Sequence, residues 1–172
     1  MKKLLAILLS MCMILAMASC GDPTKPGNND NPGSTGNGDP ASGAGSDPIY
    51  IGCILPMSGS SAYDGESAMN GAKAAAKYIN DNGGILGGRT IELVIEDSAT
   101  DPDTAASAAE KLINSDHVSA LIGGFNSSCT AAVMPIAAQY GVPLVTAIAT
   151  SAKLTEEGNE WFFRAVGISS LY

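Results

Sequence analysis

The chain has 172 residues, of which 45% are hydrophobic, and its net charge is −8. With nine lysines and arginines against 17 aspartates and glutamates, it lacks a cationic surface that could neutralise nucleic-acid phosphates, so no nucleic-acid partner is expected. Residues 49–172 suffice for one modest core and are too few for two domains. Small neutral or zwitterionic molecules remain open as partners.

The first 20 residues have the pattern of a secretory signal. Two lysines precede an apolar run at 4–15, and small residues then lead to Cys20. This run is too short to span a bilayer comfortably. Cys20, followed by glycine, resembles the lipidation site of bacterial lipoproteins, which implies a signal peptide at 1–19 and a lipid anchor on Cys20. An ordinary secreted protein with an incidental cysteine is the alternative.

Residues 21–48 consist mainly of Gly, Pro, Asn, Asp, Ser and Thr. Such a segment cannot bury enough apolar surface to offset its conformational entropy, so we expect residues 20–48 to form a flexible tether. Its root-mean-square reach would be roughly 30 Å. The predicted organisation is therefore a signal peptide, a lipidated tether and a folded lobe at 49–172, held outside the cytoplasm at a membrane.

Strand and helix patterns alternate from residue 49 onward. An apolar run at 49–55 that ends at a proline predicts a strand buried on both faces. Apolar residues at helical spacing predict a helix over 65–82 that stops at Gly83. Residues 90–96 alternate as a second strand. The first half of the lobe therefore has the order strand, helix, strand.

The same alternation continues to the end of the chain. Asp101 followed by proline predicts the N-cap and first position of a helix that ends near residue 115. The remaining predicted elements are a strand at 118–122, a helix at 127–140 closed by Gly141, a strand at 143–147, a helical turn at 151–156 and a strand at 161–166. These repeated units predict an α/β fold with a doubly wound parallel sheet covered by helices on both faces. Cys53 and Cys129 are expected to be free, buried thiols.

Ligands of such sheets bind outside the carboxyl ends of the strands, near the switch in strand order. Three loops there are rich in hydroxyls, glycine or exposed backbone, at 57–64, 125–130 and 148–151. The loop at 125–130 gives the sharpest signal, because hydroxyls and free N–H groups converge at a helix N-terminus, where the dipole favours an anion such as a carboxylate. Serine and threonine also begin helices as simple caps, so both interpretations stay open.

Other patterns are interpreted as structural. Residues 83–90 resemble a phosphate-binding loop but join a helix to a strand, which is the wrong order. Asp97, Asp101 and Asp103 lack the spacing and central glycine of a calcium loop. His117, the only histidine, has no partner suited to metal binding. With no nucleophile–base set or ligand cluster visible, neither catalysis, a cofactor nor a metal is expected.

Eight short motifs occur in a fixed order within residues 49–164, namely Ile51-Gly52, Leu55-Pro56-Met57-Ser58-Gly59, Asn70-Gly71-Ala72, Ile79-Asn80, Gly83-Gly84-Ile85-Leu86-Gly87-Gly88, Asp101-Pro102, Leu121-Ile122-Gly123-Gly124 and Gly141-Val142-Pro143-Leu144. Together they resemble the branched-chain amino-acid-binding proteins, the leucine-type substrate-binding components of ABC transporters. The resemblance implies the N-terminal lobe of a type I periplasmic-binding fold.

The resemblance also implies roles for single residues. Serines of the loop after the third strand hold the ligand carboxylate in this family, which maps onto Ser127 with Ser128 beside it. An alanine–threonine pair after the next strand receives the ammonium through a carbonyl and a hydroxyl, which maps onto Ala149 and Thr150.

Three features depart from the family pattern. Asp64 stands where leucine-binding members often have an aromatic residue, with Tyr63 one position earlier, so both are candidate ligand contacts. The disulfide of some relatives would fall at Thr100 and Asn126 and cannot form here. Relatives also continue into a second lobe, so we expect this chain to hold the first lobe only and to bind weakly alone.

The expected function is that of an extracytoplasmic solute-binding lipoprotein. It would capture an amino acid of the branched-chain type, or a similar small zwitterion, and deliver it to an ABC permease in the membrane. It is not expected to be an enzyme. The alternatives are a ligand-binding sensory module of a receptor and an enzyme on a related α/β fold.

Overall fold

The computed structural model describes residues 47–156 and 158–171. Strands and helices alternate within them as β1 Ile49–Leu55, α1 Ala62–Asp81, β2 Ile91–Asp97, α2 Pro102–Asn114, β3 Ala120–Gly123, α3 Ser127–Tyr140, β4 Leu144–Thr146, α4 Lys153–Glu156, β5 Phe162–Arg164 and a final 3-10 turn, Ser169–Leu171. Every predicted strand and helix after residue 48 is confirmed, with ends displaced by a few residues at most. The predicted signal peptide, Cys20 and tether lie outside the described residues.

The five strands form one parallel sheet with the order β2-β1-β3-β4-β5. β1 therefore pairs with β2 on one side and with β3 on the other, and the chain changes its direction of travel across the sheet between these two neighbours. This topology confirms the predicted doubly wound α/β fold. It brings the carboxyl ends of β1, β3 and β4 side by side, which is where the three candidate loops begin.

The main core lies on the sheet face covered by α2 and α3. Leu112 from α2, Val133 from α3 and Leu121 and Leu144 from the strands have no exposed surface. Fully buried alanines in both helices let the helix backbones approach the sheet and each other closely. This tight layer fixes the start of α3 relative to the strands.

Helices of the described part of the chain cover only part of the opposite sheet face. The strand register places Ile95, Cys53, Ile122, Val145 and Phe163 in one row across the sheet. α1 packs over β1 and β2, where Cys53 is 1% exposed, whereas Ile122 is 36% and Phe163 53% exposed. The prediction of helices over both faces is therefore right for one face and, within the described ranges, wrong for β3 to β5 on the other. The alternation of strand and helix patterns predicts crossover helices, but it does not determine how many of them pack on each face of the sheet.

Local capping follows the predicted chemistry. The Asp101 carboxylate accepts a hydrogen bond from the Thr104 amide at 2.8 Å, and Pro102 occupies the first position of α2. α3 ends at Gly141, whose φ of 65° lies in the left-handed region. Both helices thus begin or end where the sequence predicted.

The two cysteines of the described lobe are buried and unpaired, as predicted. Burial raises the pKa of the Cys53 thiol to about 11 and also raises the pKa of the Cys129 thiol. Both thiols therefore stay protonated at neutral pH and behave as small apolar side chains. In the part of the chain that the structure describes, no helix combines the length and apolarity needed to cross a membrane.

Candidate functional site

The first turn of α3 is built around Asn126. Its side-chain oxygen accepts a hydrogen bond from the Cys129 amide at 2.8 Å, and its carbonyl accepts one from the Thr130 hydroxyl at 2.9 Å. Asn126, with extended backbone angles, is therefore the N-cap of α3. The loop at 125–130 therefore does cap the helix, but the capping side chain is that of Asn126 and not that of a serine or threonine. Asparagine ranks among the strongest N-cap residues, so its position just before the serines was a signal in the sequence.

The two predicted serines differ in what their hydroxyls do. Ser128 is exposed and its hydroxyl donates to the Asn126 side-chain oxygen at 3.0 Å. Ser127 is half-buried and its hydroxyl oxygen accepts from the Ser151 amide at 3.2 Å. Since this bond uses an acceptor lone pair, the Ser127 proton remains available for donation. Ser127 is thus the better placed of the two to bind an anion at the start of α3.

The Ser127–Ser151 hydrogen bond joins the loop after β3 to the loop after β4. The second loop is shaped from inside by Thr146, which is fully buried and whose hydroxyl oxygen accepts from the Ala149 amide at 3.2 Å. Two of the three loops predicted from the sequence therefore meet at the N-terminus of α3. Thr146 was not among the predicted site residues, because a threonine near the end of a strand gives no distinct signal.

The Ala149 and Thr150 backbone is already engaged in this lobe. The Ala149 carbonyl accepts from a guanidinium nitrogen of Arg164 at 2.9 Å, and the Thr150 carbonyl accepts from the Ser169 amide at 2.9 Å. A ligand ammonium at Ala149 would share its acceptor with a cation. Arg164 was not among the predicted site residues, because its position inside the predicted strand at 161–166 gives no sign of a role in the loops.

The loop after β1 is held by Asp97 at the end of β2. One carboxylate oxygen accepts from the amides of Met57, Ser58 and Ala99 at 2.8, 3.1 and 2.7 Å, and the other accepts from the Ser58 hydroxyl at 2.6 Å. Partial burial opposes ionisation, but these hydrogen bonds outweigh it and lower the pKa of Asp97. Asp97 therefore shapes this loop as a carboxylate.

Tyr63 and Asp64 lie apart from these contacts. Both are exposed in the first turn of α1, and Tyr63 is 83% exposed. Within the described ranges, neither side chain makes a hydrogen bond to the loops after β3 and β4. The structure thus brings together the loops that carry Ser127, Ser128, Ala149 and Thr150, and leaves Tyr63 and Asp64 exposed on α1. Ligand binding by these six residues stays a prediction.

The loop before α3 carries backbone strain. Phe125 has a φ of 39°, a left-handed conformation that costs on the order of 1 kcal/mol or more in a non-glycine residue. Gly124 has a φ of 75°, and a Cβ there would lie 2.5 Å from the Thr130 hydroxyl oxygen. The hydrogen bonds of Asn126 hold this turn in place at the start of α3.

A wide groove on the outer side of α3 is a separate feature. It is lined by Met134, Pro135, Leu154 and Trp161 among others, and no predicted site residue lines it. Its lining is mainly apolar, although Lys153, Asn159 and Glu160 add polar groups along it. The predicted site residues lie at the loops after β3 and β4, where the α3 dipole and the available Ser127 proton favour an anion. Among the described residues, no group of three or more His, Cys, Asp or Glu side chains could hold a metal ion.

Residues 48–170 match the family described as periplasmic binding protein, and the chain belongs to this family. The leucine-specific-binding protein of Salmonella typhimurium is 34% identical over 128 residues, covering 74% of this chain and 34% of that protein. The Leu/Ile/Val-binding protein BraC3 of Rhizobium johnstonii is 36% identical over 119 residues, covering 69% of this chain and 32% of its own length. This chain therefore spans about a third of the length of these relatives.

Solved structures give the same assignment. The branched-chain amino-acid transporter substrate-binding protein LivJ of Streptococcus pneumoniae, in complex with isoleucine, superimposes with a TM-score of 0.67 at 36% identity, covering 70% of this chain and 34% of LivJ. A solute-binding protein of an ABC transporter from Rhodopseudomonas palustris, in complex with 3,4-dihydroxybenzoic acid, gives 0.63 at 28% identity, covering 72% and 33%. The predicted family and the predicted lobe are both confirmed.

Proposed function

We propose that this chain supplies the first lobe of a solute-binding component of an ABC importer, and that the lobe binds the carboxylate of an amino acid at the N-terminus of α3. The observation that carries the proposal is the state of Ser127. Its hydroxyl oxygen accepts a hydrogen bond from the Ser151 amide, so its proton is available to donate to an anion bound at the N-terminus of α3. The dipole of α3 favours negative charge at the same place.

The ligand would be held between loops. Ser127 would donate to the carboxylate, with Ser128 beside it, while Ala149 and Thr150 border the site and contribute a carbonyl and a hydroxyl. Tyr63 and Asp64 would contact the rest of the ligand from the rim. A second lobe, carried by the remaining two thirds of the relatives' length, would close over the ligand by hinge motion and bury it. The first lobe alone would bind weakly, because most of the ligand surface stays in water.

The carboxylate is the group shared by the ligands of the relatives. The Streptococcus protein holds isoleucine and the Rhodopseudomonas protein holds 3,4-dihydroxybenzoic acid, which has no ammonium. Because Arg164 already occupies the Ala149 carbonyl, the first lobe depends on the ligand carboxylate more than on its ammonium. A branched-chain amino acid is the main candidate ligand, and an aromatic carboxylate is the second.

The cellular role follows from the same proposal. A signal peptide at 1–19 and a lipid on Cys20 would place the lobe outside the cytoplasm and anchor it to the membrane, close to the permease that receives the ligand. The tether at 20–48 would let the lobe reach that permease. The chain would act by binding and delivery, without catalysis, cofactor or metal. Receptor sensing by the same fold is the alternative role.

The ligand group that the site binds can be identified with leucine analogues that each lack one of its two charged groups. Amide resonances of the chain would be followed during titration with L-leucine, with 4-methylpentanoate, which lacks the ammonium, and with 3-methylbutylamine, which lacks the carboxylate. We expect shifts at residues 126–129 and 149–151 at millimolar concentrations of the first two compounds. Equal shifts with the amine, or no shifts at these residues with any of the three, would refute the carboxylate site.

A further inference from the structure

Arg164, at the carboxyl end of β5, contacts the loop after β4 twice. One terminal nitrogen of its guanidinium donates to the Ala149 carbonyl at 2.9 Å and the other donates to the Ser151 carbonyl at 2.7 Å. We infer that Arg164 is the positioning residue of the binding site: it fixes residues 149–151 so that the Ser151 amide meets the Ser127 hydroxyl. The effect of Arg164 on ligand binding rests on the proposed function, since Ser127 is the proposed carboxylate donor.

The geometry requires an arginine. A planar guanidinium can donate in parallel to two carbonyls that are two residues apart, whereas the single ammonium of lysine cannot hold both in one plane. Bonds from a charged donor are stronger than those between neutral groups. The guanidinium carbon also lies 5.9 Å from the centre of the Phe162 ring, which is buried. The guanidinium of Arg164 therefore contacts the Phe162 ring of the core and, through its hydrogen bonds, the loop after β4.

Three consecutive carbonyls of this loop accept hydrogen bonds. Arg164 binds the first and third, and the Ser169 amide binds the carbonyl of Thr150 between them at 2.9 Å. With both flanking carbonyls fixed, the peptide plane that carries the Ser151 amide has little freedom left. Its N–H then points at Ser127, 3.2 Å away. Arg164 acts on the ligand through this amide, without touching the ligand itself.

Arg89 provides a matched control. It also donates to two neighbouring carbonyls, those of Asp47 at 2.7 Å and Pro48 at 3.2 Å. These carbonyls precede β1, at the amino end of the sheet, far from the loops that form the site. Arg89→Ala removes the same number and kind of hydrogen bonds as Arg164→Ala, so a difference between the two variants reports position and not general stability.

The test is the hydrogen-exchange rate of the Ser151 amide in the whole chain. We expect Arg164→Ala to raise this rate about tenfold or more, Arg164→Lys to raise it by less, and Arg89→Ala to leave it within about twofold of the unsubstituted chain. If Arg164→Ala does not fold, the comparison between Arg164→Lys and Arg89→Lys decides the question. An unchanged Ser151 rate, or an equal rise in the Arg89 variant, would overturn the inference.

Titration with L-leucine separates this inference from the proposed function. If the unsubstituted chain shows leucine-induced shifts at 126–129, Arg164→Ala should weaken its affinity several-fold and Arg89→Ala should not. If no leucine-induced shift occurs but the Ser151 amide still depends on Arg164, the positioning role stands and the proposed function fails. If the unsubstituted chain binds leucine and Arg164→Ala binds it with the same affinity, the claim that Arg164 supports ligand binding is contradicted.

Discussion

The Ser151 amide donates a hydrogen bond to the Ser127 hydroxyl oxygen over 3.2 Å, and so joins residues that are 24 positions apart in the chain. Ser127 opens α3 and Ser151 lies in the loop after β4. The parallel order of β3 and β4 brings both to the same sheet edge. One backbone donor thereby sets the orientation of the side chain that we propose as the carboxylate donor.

The first turn of α1 contains Gly65, which lies against the backbone of Pro56, the residue directly after β1. A Cβ at Gly65 would lie 2.0 Å from the Pro56 carbonyl oxygen. Gly65→Ala should therefore push the first turn of α1 away from the sheet and lower the free energy of unfolding by about 1–3 kcal/mol, as overpacking does. Urea denaturation of the chain measures this loss.

Gly71 in the same helix is the control. It is exposed, and a Cβ there would meet nothing within 4 Å. Because alanine is the better helix former, Gly71→Ala should raise the free energy of unfolding by up to about 1 kcal/mol. The explanation by close approach fails if both substitutions change stability in the same direction.

Asp97→Asn tests the loop after β1. The asparagine keeps the shape and one acceptor oxygen but loses the charge, so we expect a loss of about 1–2 kcal/mol in the free energy of unfolding at pH 7. The pKa of Asp97 is lowered by folding, so its ionised form adds stability above pH 3.8, its ordinary value, and this contribution is lost as the pH falls further. The difference between the two proteins should shrink below that pH. A difference that stays constant down to pH 2 would mean that shape, and not charge, is what matters.

The Cys53 thiol should lower the free energy of unfolding at alkaline pH, whereas the Asp97 contribution is lost at acidic pH. Burial raises its pKa from 9.0 to about 11, so the unfolded chain loses this proton at lower pH than the folded chain. The thiol therefore contributes a fall in the free energy of unfolding of up to about 1.4 kcal/mol per pH unit between these values. Cys53→Ala should show a shallower fall between pH 9 and 11 in denaturation experiments. Equal slopes in the two proteins would show that Cys53 is not shielded from water.

The fold was predictable because local chemistry and hydrophobic pattern agree. Asp101 with Pro102 begins a helix, Gly141 ends one, and apolar runs without helical spacing give parallel strands. The order of the strands in the sheet was not predictable from such local signals. The exposure of Ile122 and Phe163 among the described residues was missed for the same reason, since helix placement over a sheet depends on contacts between distant parts of the chain.

The site was predictable in part. Strand ends followed by hydroxyls identified the loops of Ser127 and Ala149, because ligands of parallel sheets bind there. The sequence could not show which hydroxyl proton is free, because that depends on the Ser151 amide arriving from another loop. Arg164 was missed because its partners are backbone carbonyls, which have no signature in the residue types.

Leucine binding by Ser127→Ala, measured from amide shifts at residues 126–129 in the whole chain, tests the carboxylate site most directly. Ser107→Ala is the matched control, because that exposed serine of α2 donates only to the Asp103 carbonyl one turn earlier. We predict that Ser127→Ala weakens leucine binding at least tenfold, as loss of a hydrogen bond to a charged group should, while Ser107→Ala leaves it unchanged. Equal affinity in the two variants would contradict a carboxylate site at Ser127.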